Sequence, residues 1–188
     1  MYYVFFYYFH VDVLITFTSV FMKTLYLLRH AKSSHHDSDL TDFDRPLSER
    51  GYADAHIVSK HLALKKIRID VLISSPAIRA LTTALIFAGN LNYPVEKILL
   101  RPQLYNAGVH NYLACIESIR ECNSLLIVGH NESISELAKE LSLKPFNSLK
   151  TCSLVSFQLN INSWKNIQHS KGNLTLQVNP ALVKGELN

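Results

Sequence analysis

Cysteine is scarce in this chain. Cys115, Cys122 and Cys152 form an odd set among 188 residues, with no CxxC pair. That argues against a disulfide framework and a zinc knuckle, and it fits a reducing, cytoplasmic setting. The histidines lack metal-binding order as well. His35, His36, His56, His61 and His110 show neither HxxxH nor HExxH spacing and have no cysteine near them, so no metal and no other cofactor is expected. Basic residues form neither a block nor a ladder with aromatics. The formal charge of +4 is mild and spread along the chain, which suits a small anionic substrate and not nucleic acid. Heptads, internal repeats and low-complexity tracts are missing too, which excludes coiled coils, solenoids and long disordered regions.

What is present is the material of one ordinary domain: 48% hydrophobic and 18% charged residues. The first 21 residues, "MYYVFFYYFHVDVLITFTSVF", stand apart, being aromatic-rich and free of Lys and Arg. Their length would suit a membrane anchor. Against that, His10 and Asp12 lie mid-segment, where ionisable groups are costly, and no basic stretch precedes the apolar one. A strand also follows at once from Met22, a natural start. Residues 1–21 are therefore expected to lie outside the fold, with 22–188 as the domain and no membrane association.

From Met22 onward, short apolar runs alternate with helical patterns. Strands are expected at 24–28, 70–74, 97–100 and 124–128, and helices at 48–63, 75–89, 110–120 and 131–141. Ser48, Ser75 and Asn131 are the expected N-caps, and Gly89 the expected stop of the second helix. Near-continuous apolar strands separated by helices imply an α/β fold, a parallel sheet covered on both faces. The tail runs 154–159 and 174–178 should add pairs at a sheet edge.

The stretch "LYLLRHAKSS" (25–34) shows where chemistry enters. An apolar strand ends in Arg29 and His30. The second strand runs into "SPAIR", placing Arg79 in the first turn of a helix, and another runs into Gly129-His130-Asn131. Parallel strands share one carboxyl edge, where open α/β sheets bind ligands. Two of these positions adjoin helix N-termini, which favour anions. Two guanidiniums and two imidazoles, with no intervening carboxylate, describe a phosphate pocket.

At these residues the sequence resembles the histidine phosphatase superfamily (phosphoglycerate mutase-like), most closely its SixA-type phosphohistidine phosphatases. "LRHAKSS", "SSPAIRALTTA" and "VGHN" occur in order, with "DRPLSERG" (44–51) and "LYNA" (104–107) between them. The resemblance implies a three-layer α/β/α sandwich, no metal, and hydrolysis through a phosphorylated histidine. His30 would attack phosphorus, and Arg29, Arg79 and His130 would hold the other phosphoryl oxygens. Arg29 and Arg79 would thereby bind substrate. Cationic neighbours are expected to depress the pKa of His30 and keep it neutral. Lys32, Ser33 and Ser34 could line the mouth, or simply form a solvated loop. Tyr and Phe beyond residue 21 read as core.

One departure bears on substrate. Phosphomonoesterases and mutases of the superfamily carry a glutamate acid after the third strand, whereas 101–114 contains no carboxylate. An alkoxide needs a proton as it leaves, but imidazole can be protonated beforehand and depart neutral. The gap favours phosphohistidine, on a protein or in a small phosphorylated molecule. Two other readings stay open. One is a general phosphomonoesterase or mutase-like enzyme drawing an acid from the 37–44 loop (Asp37, Asp39, Asp42 or Asp44), and the other is a non-catalytic phosphate-binding module.

Overall fold

The computed structural model describes residues 22–34, 36, 39–120 and 122–186. The segment 1–21, on which the expectation of an extension falls, lies outside them. Six strands form one sheet in the order β3-β2-β4-β1-β5-β6. They are β1 (Met22–Arg29), β2 (Val71–Ser74), β3 (Leu99–Leu100), β4 (Ser124–Gly129), β5 (Leu154–Asn160) and β6 (Gly172–Val178). The first four run parallel, while β5 is antiparallel to β1 and β6 antiparallel to β5. The tail strands do pair as expected, with β6 alone at the rim.

Helices α1 (Glu49–Leu64), α2 (Ile78–Asn90) and α5 (Pro180–Glu186) cover one face, and α3 (Val109–Glu117) and α4 (Asn131–Leu141) the other. Two apolar layers result, as a sheet apolar on both sides requires. On the first face Leu28, Val58, Leu62, Ala84 and Phe87 are fully buried, and on the second Leu25, Leu27, Tyr112, Ile116, Leu137 and Trp164. No helix among the described residues is long and apolar enough to cross a membrane.

Local rules hold at the start of α1 and fail at four other helix ends. The Ser48 hydroxyl accepts the Gly51 N–H at 3.1 Å, capping α1 as expected. Helix α2, however, begins two residues later than expected, because the chain bends at Pro76 and Ala77, and Ala77, the N-cap, is not yet helical at φ −55° and ψ 134°. It also runs through Gly89 to Asn90, which a glycine in open space permits. Helix α3 ends at Glu117, three residues early, where Ser118 closes onto the Ala114 carbonyl. At α4 the N-cap is His130, and Asn131 is the first helical residue, its side chain accepting from Ser135. Residues 95–97 form a single 3-10 turn, which shortens β3 to two residues.

Register places the key positions. Arg29 lies beside Gly129, and Leu28 and Ser74 both lie beside Val128. The chains leaving β1, β2 and β4 therefore emerge together. Their first backbone bonds cross between strands: His30 N–H to the Gly129 carbonyl at 3.0 Å and Ser75 N–H to the Val128 carbonyl at 3.1 Å.

Candidate active site

Arg29, His30, Arg79 and His130, expected together from three strand ends, line one cleft of about 660 Å³ at this sheet edge. Lys32, Ser33 and Arg45 line its mouth, with Asn106–Gly108 from the turn after β3 and Asn131, Glu132, Ser133 and Glu136 from α4.

His30 is 8% exposed. Its Nδ1 lies 2.7 Å from the Ala31 carbonyl, which can only accept, so the ring proton sits on Nδ1. That leaves the Nε2 lone pair uncommitted. Burial, with His130, Arg79 and Arg29 adding positive surroundings, holds His30 down at about 3 against the opposing pull of Ala31. The cationic neighbours expected from sequence do contribute, but burial is the larger cause. The backbone here is tied from behind, since the His30 carbonyl accepts the Cys152 N–H at 3.1 Å and Ala31 N–H donates to Thr83 Oγ1 at 3.1 Å.

The His130 ring stands 5.2 Å from that of His30, tilted by 60°. Burial first, then Arg79 and Arg29, lower its pKa to about 4, with Asp42 opposing. Its Nε2 meets Ser75 Oγ at 2.9 Å. That hydroxyl also accepts the Ala77 N–H at 3.4 Å. Ser75, read from sequence as a helix cap, is thus the partner that holds the His130 ring at Nε2. The His130 main-chain N–H donates to the Tyr112 hydroxyl at 3.0 Å. Burial pushes this phenol up to about 12, so it remains protonated, and it passes its own hydrogen to the Leu104 carbonyl. Gly129 makes room for it, since a Cβ there would run into the Tyr112 ring and hydroxyl.

Arg29 donates from Nη1 to the Leu149 carbonyl at 2.6 Å. Among the described residues, two buried side-chain nitrogens have no partner: Arg29 Nε and His130 Nδ1. Buried polar atoms are rarely left without a partner, and each costs about 1–3 kcal/mol. Both belong to this cleft. The start of α4 also opens toward it with no side-chain cap. By contrast, the first N–H of α2 is already taken by the Phe43 carbonyl at 3.1 Å, so only one of the two expected helix ends is open.

The expectation of a pocket without a carboxylate needs correction. Asp42 sits against Arg79, its main-chain oxygen accepting from Nη1 and its Oδ2 from Nη2 at 2.8 Å. Tyr105 and Arg45 bind the same carboxylate, at 3.1 Å and 2.8 Å. Partial burial works to raise the Asp42 pKa, but Arg79, Tyr105 and Arg45 outweigh it and hold the group below the usual range. Tyr105 is not core either, because it lies half-buried with its ring edge-on to His130, centroids 5.7 Å apart. Of the other acids in that loop, Asp39 is exposed, Asp44 accepts from Thr41 at 2.6 Å, and Asp37 lies outside the described residues. Glu132 and Glu136, unremarked in the sequence, are exposed at the outer wall and form no hydrogen bond among the described residues. Lys32 and Ser34 are set as loop residues, while Ser33 is buried and accepts from Arg45 at 2.7 Å. No three His, Cys, Asp or Glu side chains among the described residues come together as a metal site.

Comparison with known proteins agrees with this geometry. Residues 25–104 match the model of the histidine phosphatase superfamily, branch 1. An uncharacterized chloroplastic protein of Arabidopsis thaliana is 31% identical over 153 residues, 76% of this chain and 69% of the relative. The SixA protein of Agrobacterium tumefaciens superposes with a TM-score of 0.70 at 26% identity, covering 83% of this chain and 97% of that one. The protein histidine phosphatase SixA solved with tungstate shares the fold, with a TM-score of 0.72 at 21% identity over 85% and 99% of the two chains. The chain belongs to the histidine phosphatase superfamily and is SixA-like. It is an enzyme of the phosphatase class.

Proposed function

We propose that this phosphatase hydrolyses N-phosphorylated histidine, on a protein or in a small phosphoramidate, through a phosphoryl group carried on His30. The observation that supports this most directly is the gathering of Arg29, Arg79 and His130 in one cleft beside a neutral His30 whose Nε2 is uncommitted, with Arg29 Nε and His130 Nδ1 buried and without partners among the described residues. In the first step the Nε2 lone pair attacks phosphorus while the bond to the substrate nitrogen breaks. That imidazole, protonated beforehand, departs neutral. Water then attacks phosphorus, the bond electrons return to Nε2, and phosphate leaves. Arg29, Arg79 and His130 hold the non-transferring oxygens as charge shifts between them. The scheme calls for no metal ion.

The carboxylates nearby favour this leaving group. Asp42 is ionised and fully engaged, so it has no proton to give at neutral pH. Glu132 and Glu136 stand exposed at the outer wall, with no side-chain hydrogen bond among the described residues. A leaving group that needs no proton from the enzyme suits this arrangement. The cysteines Cys115, Cys122 and Cys152 are all free and buried, which supports a reducing compartment such as the cytoplasm.

The test is kcat/KM on a phosphohistidine peptide, an aryl phosphate and an alkyl phosphate. The first two should exceed the third by about 10²–10⁴-fold, the usual worth of a general acid. His30→Ala should abolish turnover and the acid-labile phosphoenzyme without loss of fold. Equal rates on alkyl and aryl substrates would reveal a hidden acid. Amide variants of Asp37, Asp39, Asp42, Asp44, Glu132 and Glu136 would then identify it, and the phosphomonoesterase reading would hold. No turnover of any of the three would leave a phosphate-binding module.

A further inference from the structure

Arg79 is 6% exposed, yet both terminal nitrogens of its guanidinium are held by one residue of a distant loop. Asp42 takes Nη1 with its main-chain carbonyl and Nη2 with its carboxylate. The loop is itself pinned, because the Phe43 carbonyl accepts the first N–H of α2, and the Phe43 ring packs edge-on against Tyr105 at 5.0 Å. Tyr105 completes the circuit by donating to Asp42 and packing against His130.

We propose that Asp42 is a positioning residue, which holds the Arg79 fork so that its remaining N–H groups face the phosphoryl oxygens. The inference rests on the phosphoryl site proposed above. A carboxylate beside an anion site could instead be a stand-in for substrate, occupying the seat until displaced. Two observations oppose that. The Asp42 carboxylate bonds Arg79, Arg45 and Tyr105 and leaves Arg29 Nε and His130 Nδ1 without partners, so it does not serve them as an anion. Moreover, the main-chain half of the clamp cannot swing away without also breaking the Phe43–Ile78 bond. Asp42 uses one N–H from each terminal nitrogen, leaving one more on each.

The two roles differ in the sign of one measurement. Removing a negative charge next to an anion site strengthens anion binding on electrostatics alone. Releasing a long side chain that the ligand must then order weakens it. Tungstate, a phosphate mimic, is titrated calorimetrically into the full chain. Asp42→Ala should weaken its binding about tenfold, the scale of one freed rotamer-rich side chain. Tyr105→Phe, which removes a single hydroxyl from the protein, should weaken it less but in the same direction. In an Arg79→Ala background, Asp42→Ala should no longer weaken binding, since only the removal of a negative charge is left to act. Unchanged or tighter binding by Asp42→Ala, or an undiminished loss without Arg79, would overturn the proposal. Failure of the unaltered protein to bind tungstate would instead overturn the phosphoryl site itself.

Discussion

A free histidine titrates near 6.5, but the two in this cleft are held at about 3 and about 4. Their depressed values separate activity from stability. Between pH 6.5 and about 4 the unfolded chain takes up protons that the native one refuses. Stability should therefore fall with pH by about 1.4 kcal/mol per unit for each histidine. Above 6.5 neither contributes, and below the native values the slope from these two vanishes. Activity on an aryl phosphate should show no limb near 6.5, since both rings stay neutral until about pH 4. Melting curves and kcat/KM over pH 4–8 check this, and the melting slope should be shallower in His130→Gln. A rate limb at 6.5 that vanishes in that variant would mean His130 titrates normally. That Arg29, His30, Arg79 and His130 gather in one cleft was legible at this scale, because each lies at or shortly after the end of an apolar strand. Asp42 was not, since its place depends on how a loop 37 residues before Arg79 folds back. Ser75 was misread because a serine before Pro76 looks like a cap, whereas its hydroxyl serves the ring across the sheet edge.

Among the elements, α4 carries the tightest coupling between packing and chemistry. Its entry is set by Gly129, by the Tyr112 hydroxyl beneath it, and by His130 as an N-cap with no capping side chain. Gly129→Ala would drive a methyl into the Tyr112 ring, a backbone-level overpacking that costs about 1–3 kcal/mol. The displaced phenol would also release the His130 N–H. Urea denaturation should thus show a lowered midpoint, and turnover should fall well beyond the loss of folded protein. A variant that is destabilised but as active per folded molecule as the original would show that Tyr112 supports packing alone. The strands and helices themselves were legible from apolar period. Their ends were less so, because ends are decided by partners elsewhere, such as the Phe43 carbonyl that closes the start of α2.

For the whole molecule, the described part of the sheet begins at Met22. Strand β1 pairs with β4 from Thr24 to Arg29 and with β5 from Met22 to Leu28, so both of its edges are filled. A chain that starts at Met22 should keep its melting temperature within a few degrees, along with its full kcat/KM. A large loss of either, in scanning calorimetry or assay, would make the first 21 residues a structural part of the protein. The three-layer plan was legible because alternating apolar strands and helices admit few other arrangements. The position of β5 was less so, since it lies inside the sheet and only β6 at the rim, a choice made by pairing and not by composition.

That central place of β1 has a consequence in time. The strand bearing Arg29 is the first described element to leave the ribosome, but its neighbours start about a hundred and a hundred and thirty residues later, at Ser124 and Leu154. Loop closure over such separations is slow, and the most sequence-distant pairings limit the rate. Val155 and Phe157, which seal β1 on its far side, are buried and apolar and must await a partner strand already made. The residue proposed as nucleophile is thus synthesised well before the strands that enclose it. A nascent chain carries the "RH" of this enzyme through about a hundred further residues of synthesis without the means to use it.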